Sequence, residues 1–128
     1  MVAMSAAELL HLKQLLDARR PGYGLPRPLY HDELMYQAEM EAIWRGGWLF
    51  AGHSCQIPNP GDYFLYDVAG DSIIVTRGSQ GQVQALYNVC RHRGSLICDA
   101  PEGHVKRFIC PYHQWTYDLS DALVSVPF

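Results

Sequence analysis

Apolar residues recur at helical spacing near the start of the chain and in short alternating runs over most of the rest. Leu9, Leu12 and Leu16 share one face of a segment that opens with Ser5-Ala6-Ala7-Glu8, the spacing of a capping box. Arg19-Arg20-Pro21-Gly22 ends it, and Tyr23 to Tyr30, rich in Gly and Pro, reads as an extended linker. A second helix is expected from Asp32 through Glu39 to Trp44, stopping at Gly46-Gly47. From Trp48 onward the pattern turns to strands. Residues 48–53, 62–68, 72–76 and 83–89 are short runs of β-branched and aromatic residues separated by Gly, Pro, Asn or Asp. Gly78 to Gly81 reads as a hairpin turn. Repeated short strands without helices between them predict a mainly β fold, an antiparallel β-sandwich or barrel preceded by two α-helices. The expected division is a helical segment and linker over 1–47 and a β domain over 48–128.

Composition narrows the class. A chain of 128 residues with 48% hydrophobic content and no low-complexity tract is long enough for one core. Its formal net charge of −3 gives no electrostatic case for nucleic acid. No apolar run approaches the roughly 20 residues a membrane helix needs, so no membrane partner is expected. The amphipathic start carries both signs of charge and does not read as a secretory signal, which points to the cytoplasm.

Two short segments change the picture. Cys90-Arg91-His92 and Cys110-Pro111-Tyr112-His113 each offer one thiolate and one imidazole, donors that serve zinc and iron-sulfur clusters alike. Ligand order separates the two. A zinc finger usually takes both Cys from one turn and both His from another, whereas here each turn mixes them. Mixing suits a two-iron cluster between two loops, with Cys90 and Cys110 on one iron and His92 and His113 on the other, the Rieske 2Fe-2S arrangement. A structural zinc module remains the alternative. Cys55 and Cys98 have no regular spacing and read as small apolar residues rather than as a disulfide. His11, His31, His53 and His104 read as surface or hydrogen-bonded scaffold.

The runs Cys90-Arg91-His92-Arg93-Gly94 and Cys110-Pro111-Tyr112-His113-Gln114-Trp115-Thr116-Tyr117 resemble the N-terminal Rieske domain of a Rieske non-haem iron oxygenase α subunit. Respiratory Rieske proteins are similar but add one cysteine to each loop, where this chain has Ser95 and Tyr112. Packing and backbone hydrogen bonds must therefore hold the loops. Leu29-Tyr30-His31 and Ile43 to Trp48 resemble the segment that leads into the domain in oxygenases and that stand-alone Rieske ferredoxins, the other carrier reading, lack. An anchoring role is expected for Arg91 or Arg93, a turn conformation for Gly94, and shielding or packing for Tyr112 and Trp115.

The resemblance implies a one-electron relay. A flavin or ferredoxin-type NAD(P)H-dependent reductase would reduce the 2Fe-2S cluster, which would pass electrons to a mononuclear iron in a neighbouring subunit of a homotrimer. That Fe(II) would belong to a catalytic domain expected to be absent from these residues, so no catalytic residue is assigned. Trp48 to His53 and Pro60-Gly61-Asp62-Tyr63-Phe64, with the second loop, resemble the monooxygenase branch that demethylates or hydroxylates quaternary ammonium compounds such as glycine betaine, choline, carnitine and stachydrine. One departure stands out. Related chains tend to have an Asp-Gly turn after Tyr-Asp-Leu, where this one has Ser120-Asp121-Ala122, so the closing hairpin is expected to be weaker or differently shaped.

Overall fold

The computed structural model describes residues 4–127, which divide into two compact units, residues 4–49 and 50–127.

The first unit is helical. Helix α1 (Ala6–Asp17) starts on the expected capping box: the Ser5 hydroxyl accepts from the Glu8 N–H at 3.3 Å, and the Glu8 carboxylate accepts from the Ser5 N–H at 2.7 Å. Helix α2 (Glu33–Glu39) is capped by Asp32, whose Oδ1 accepts from the Leu34 and Met35 N–H groups, and it runs on into a π-turn over Met40–Trp44. His11 Nε2 lies 3.4 Å from Asp32 Oδ2 and links the two helices. Of the leucine stripe, only Leu12 is buried, and Leu9 and Leu16 are exposed. A unit this short has little surface with which to cover them.

The second unit is β. Strands β1 (Asp62–Val68), β2 (Asp71–Arg77), β3 (Val83–Tyr87) and β4 (Glu102–His104) form one antiparallel sheet in the order β3-β2-β1-β4. Strands β5 (Phe108–Ile109), β6 (Thr116–Tyr117) and β7 (Leu123–Ser125) form a second, ordered β5-β6-β7. Leu65 pairs with Ile74 and Phe64 with Val75, so alternate residues of β1 and β2 face opposite sides. On one side Tyr63 and Ile74 join Phe108 and Tyr117 of the second sheet in the main core. On the other, Phe64 and Val75 pack with Ile57. Two antiparallel sheets sharing one core make the expected sandwich.

Residues 48–53 form no strand. The His53 ring nitrogen accepts from the Cys55 N–H, and the His53 N–H donates to the Gln56 side chain, which builds a 3-10 turn over Ser54–Gln56. These local bonds take the place of a ladder. The β2–β3 turn lies where expected, closed by Gly78 N–H to Gln82 O at 2.8 Å with Gly81 at positive φ. In the β6–β7 hairpin the register shifts at Thr116/Tyr117, and Asp121 adopts φ 70°.

Candidate metal centre

The two ligand-bearing loops are built alike. In the first, Gly94 N–H donates to Cys90 O and Cys90 N–H to Ser95 O, both at 2.8 Å. In the second, Gln114 N–H donates to Cys110 O and Cys110 N–H to Trp115 O, both at 2.9 Å. Each loop reverses through a residue at positive φ, Gly94 at 72° and Gln114 at 59°. Gly94 takes this conformation without a Cβ penalty, as the sequence suggests, whereas Gln114 takes it with one.

This shared geometry sorts the four donors by depth. Cys90 and Cys110 are each only 2% exposed and belong to the main core. His92 and His113 are half-buried, with ring centroids 4.8 Å apart. Trp115 stacks on His92 at 4.7 Å with planes 5° apart, and Tyr112 tilts against His113 at 3.9 Å. The imidazole pair borders a hollow of about 590 Å³ lined also by Gln114, Val126 and Pro127. Two thiols thus lie inward and two imidazoles outward.

Electrostatics prepare Cys90 and His92 in the first loop. Burial pushes the Cys90 thiol up, but the Tyr117 hydroxyl, the His92 N–H, the Cys110 thiol and the Arg93 N–H outweigh it, and the net shift is downward. A lowered thiol is readier to act as a thiolate ligand. Burial, then His113 and Arg93, hold His92 below its ordinary value and so favour the neutral imidazole that metals bind. His113 Nδ1 is buried and has no hydrogen-bond partner in the structure. A buried nitrogen of this kind calls for a partner, and a metal ion is one that fits. No group of three or more His, Cys, Asp or Glu suited to one ion occurs among the described residues. The four side chains stand as a buried thiol pair and a half-buried imidazole pair.

The family model for the Rieske 2Fe-2S domain matches residues 47–128. The chain belongs to this family. Its cofactor is accordingly a 2Fe-2S cluster, and the zinc alternative falls away. The Rieske chain is 44% identical over 110 residues to the glycine betaine monooxygenase oxygenase subunit of Chromohalobacter salexigens, covering 86% of this chain and 25% of the relative. It superposes on naphthalene 1,2-dioxygenase from Rhodococcus sp. with a TM-score of 0.83 at 34% identity, over 96% of this chain and 28% of that one. A quaternary ammonium Rieske monooxygenase gives a TM-score of 0.77 at 32% identity, over 80% and 29%. The Rieske chain thus spans about a quarter of the length of the curated relatives it matches.

Around the Rieske loops lie residues that local spacing does not reveal. Tyr117 Oη is 3.4 Å from Cys90 Sγ and accepts from the Arg91 N–H at 3.1 Å. Asn88 is buried at the end of β3, and its Oδ1 accepts from the Ile97 and Cys98 N–H groups at 3.0 and 2.8 Å. Arg91 is indeed anchored, by an ion pair with Asp121. The other cysteines differ from each other: Cys98 is buried in the core, but Cys55 is exposed rather than packed, and both are free thiols. His11, His53 and His104 are each hydrogen-bonded within the scaffold, the last to Asp62 at 2.7 Å. No helix among the described residues is long and apolar enough to cross a membrane.

Proposed function

We propose that Cys90 and Cys110 hold one iron of the cluster, that His92 and His113 hold the other, and that the chain relays electrons within an oxygenase α subunit. The observation that carries this reading is the sorting of the donors, with two thiols in the core and two imidazoles 4.8 Å apart beside an open hollow. The bound cluster supplies one-electron chemistry. The protein's share is to keep the sulfur side dry and to present the imidazole edge, whose ring N–H groups offer a path for electron entry and exit. In this reading residues 48–128 form the cluster domain and residues 1–47 lead into it. The electron donor is a flavin or ferredoxin-type reductase, and the acceptor is a mononuclear iron of a neighbouring subunit in a homotrimer. The substrate class is a quaternary ammonium compound, supported by the glycine betaine and quaternary ammonium monooxygenases among the similar proteins. The strong superposition on naphthalene 1,2-dioxygenase favours an aromatic hydrocarbon as the second substrate reading.

Purified chain should be coloured and, once reduced, give the anisotropic EPR signal of a mixed-ligand 2Fe-2S centre. Cys90→Ser and His113→Ala should each abolish it, and Cys55→Ser should not. A Cys90→Ser chain with an unaltered signal would sink the ligand set. Extending the reading frame beyond Phe128 and finding no His, His, Asp constellation would sink the oxygenase reading and leave a carrier.

A further inference from the structure

The β6–β7 hairpin grips the first ligand loop at two points. Arg91 stands between Cys90 and His92. Its backbone N–H donates to the Tyr117 hydroxyl at 3.1 Å, and its guanidinium pairs with the Asp121 carboxylate. Tyr117 ends β6, the strand that leaves the second ligand loop, and Asp121 lies in the turn just after it. Both the main chain and the side chain of Arg91 therefore rest on the element that carries the second loop onward.

The turn is built to keep Asp121 in place. Asp118 Oδ1 accepts from the Ser120 N–H at 2.8 Å, the Ser120 hydroxyl at 2.6 Å and the Ala122 N–H at 3.0 Å, while Asp118 N–H donates to Ala122 O at 2.9 Å. Asp121 nevertheless sits at φ 70°, where glycine is favoured and a side chain is strained. Strain of this kind persists where the surroundings over-determine the conformation, and it is most often found where the side chain has work to do. The charged partner of Asp121 in the structure is Arg91.

We infer that Asp121 is a positioning residue: acting through Arg91, it clamps the first ligand loop to the hairpin of the second, in the role a disulfide between loops would fill. The geometry of the clamp does not depend on the ligand set proposed above, but its consequence for the cluster does. Hydrogen exchange of the 91–96 backbone in the full cluster-bearing chain tests the clamp, and chelator-driven cluster loss tests the consequence. In Asp121→Asn, exchange should quicken about two- to five-fold, the range an exposed ion pair supports. Arg91→Gln should match it, the double variant should be no worse than either, and Arg91→Lys should retain part of the protection. High salt should quicken wild type and leave Asp121→Asn unchanged.

Asp121→Gly is the discriminating variant. It relieves the positive φ, so a turn that matters only for folding would become more stable and exchange would slow or hold. The clamp requires exchange to quicken. Slowed or unchanged exchange in Asp121→Gly, or single-variant effects that multiply in the double, would overturn the inference. Failure of the ligand set would appear separately, as a Cys90→Ser chain that keeps its spectrum while the exchange results stand.

Discussion

Tyr117 uses one hydroxyl twice. Its oxygen accepts from the Arg91 N–H, which leaves its own proton free to donate to Cys90 Sγ, 3.4 Å away. Burial, then the Cys90 thiol, raises the phenol above its ordinary value, so the donor keeps its proton at neutral pH. A hydrogen bond to a cluster sulfur strengthens as negative charge accumulates and so favours the reduced form. Tyr117→Phe is expected to lower the midpoint potential by roughly 60 mV, equivalent to about 1.4 kcal/mol for one electron and comparable to the net worth of one hydrogen bond. An EPR-monitored redox titration checks it, and an unchanged potential would mean the hydroxyl donates elsewhere. At this scale the sequence was legible only where chemistry is local. The Cys and His donors announce themselves by spacing within each loop. Tyr117 meets Cys90 only once two loops and two sheets have folded, so nothing near either residue marks the contact.

Among the elements, the first ligand loop hangs from the end of β3. Asn88 N–H donates to Ser72 O at 2.8 Å, continuing the β2–β3 pairing, and its side chain donates to Cys98 O at 2.7 Å while accepting from the Ile97 and Cys98 N–H groups. One buried amide thus joins the strand before the loop to the chain after it. Asn88→Ala leaves two buried N–H groups and a carbonyl unpaired, a loss expected to cost about 2–4 kcal/mol. Urea unfolding checks it, and a loss below about 1 kcal/mol would show that the loop closes on other contacts. Strands β1 to β3 were legible because they alternate over a two-faced core. Trp48 to His53 reads as a strand by composition but lies outside any ladder, because the His53 side chain caps a turn instead. Strand β4 was missed for the converse reason. Glu102-Gly103-His104 shows no apolar alternation, and it joins the sheet through backbone pairing to β1, where Gly103 faces Tyr63 so closely that an added Cβ would lie 2.9 Å from the ring.

At the scale of the molecule, four carboxylates among the described residues are held below their ordinary range, and each closes a piece of structure. The Ser5 backbone and hydroxyl lower Glu8 at the start of α1, and the Met35 N–H, then His11, lower Asp32 at the start of α2. The His104 ring, then the Asn59 N–H, lower Asp62 where β1 meets β4, and Ser120 lowers Asp118 in the β6–β7 turn. In the unfolded chain these groups return to roughly 3.9–4.3. A folded value below the unfolded one gives stability that is fully present above the unfolded value and is lost as pH falls through the folded one. The chain should therefore hold a plateau at neutral pH and lose stability progressively below about pH 4. Asp62→Asn and Asp118→Asn act on the β unit alone and should flatten that acid limb while lowering the neutral plateau. Because the two sites lie on different sheets and share no partner, their effects should add. Urea midpoints measured between pH 6 and pH 3 on both variants and their combination check this. The expected result is a combined slope shallower than either single slope; a wild-type slope in the combination would place the acid sensitivity in the helical unit or in the loss of the cluster.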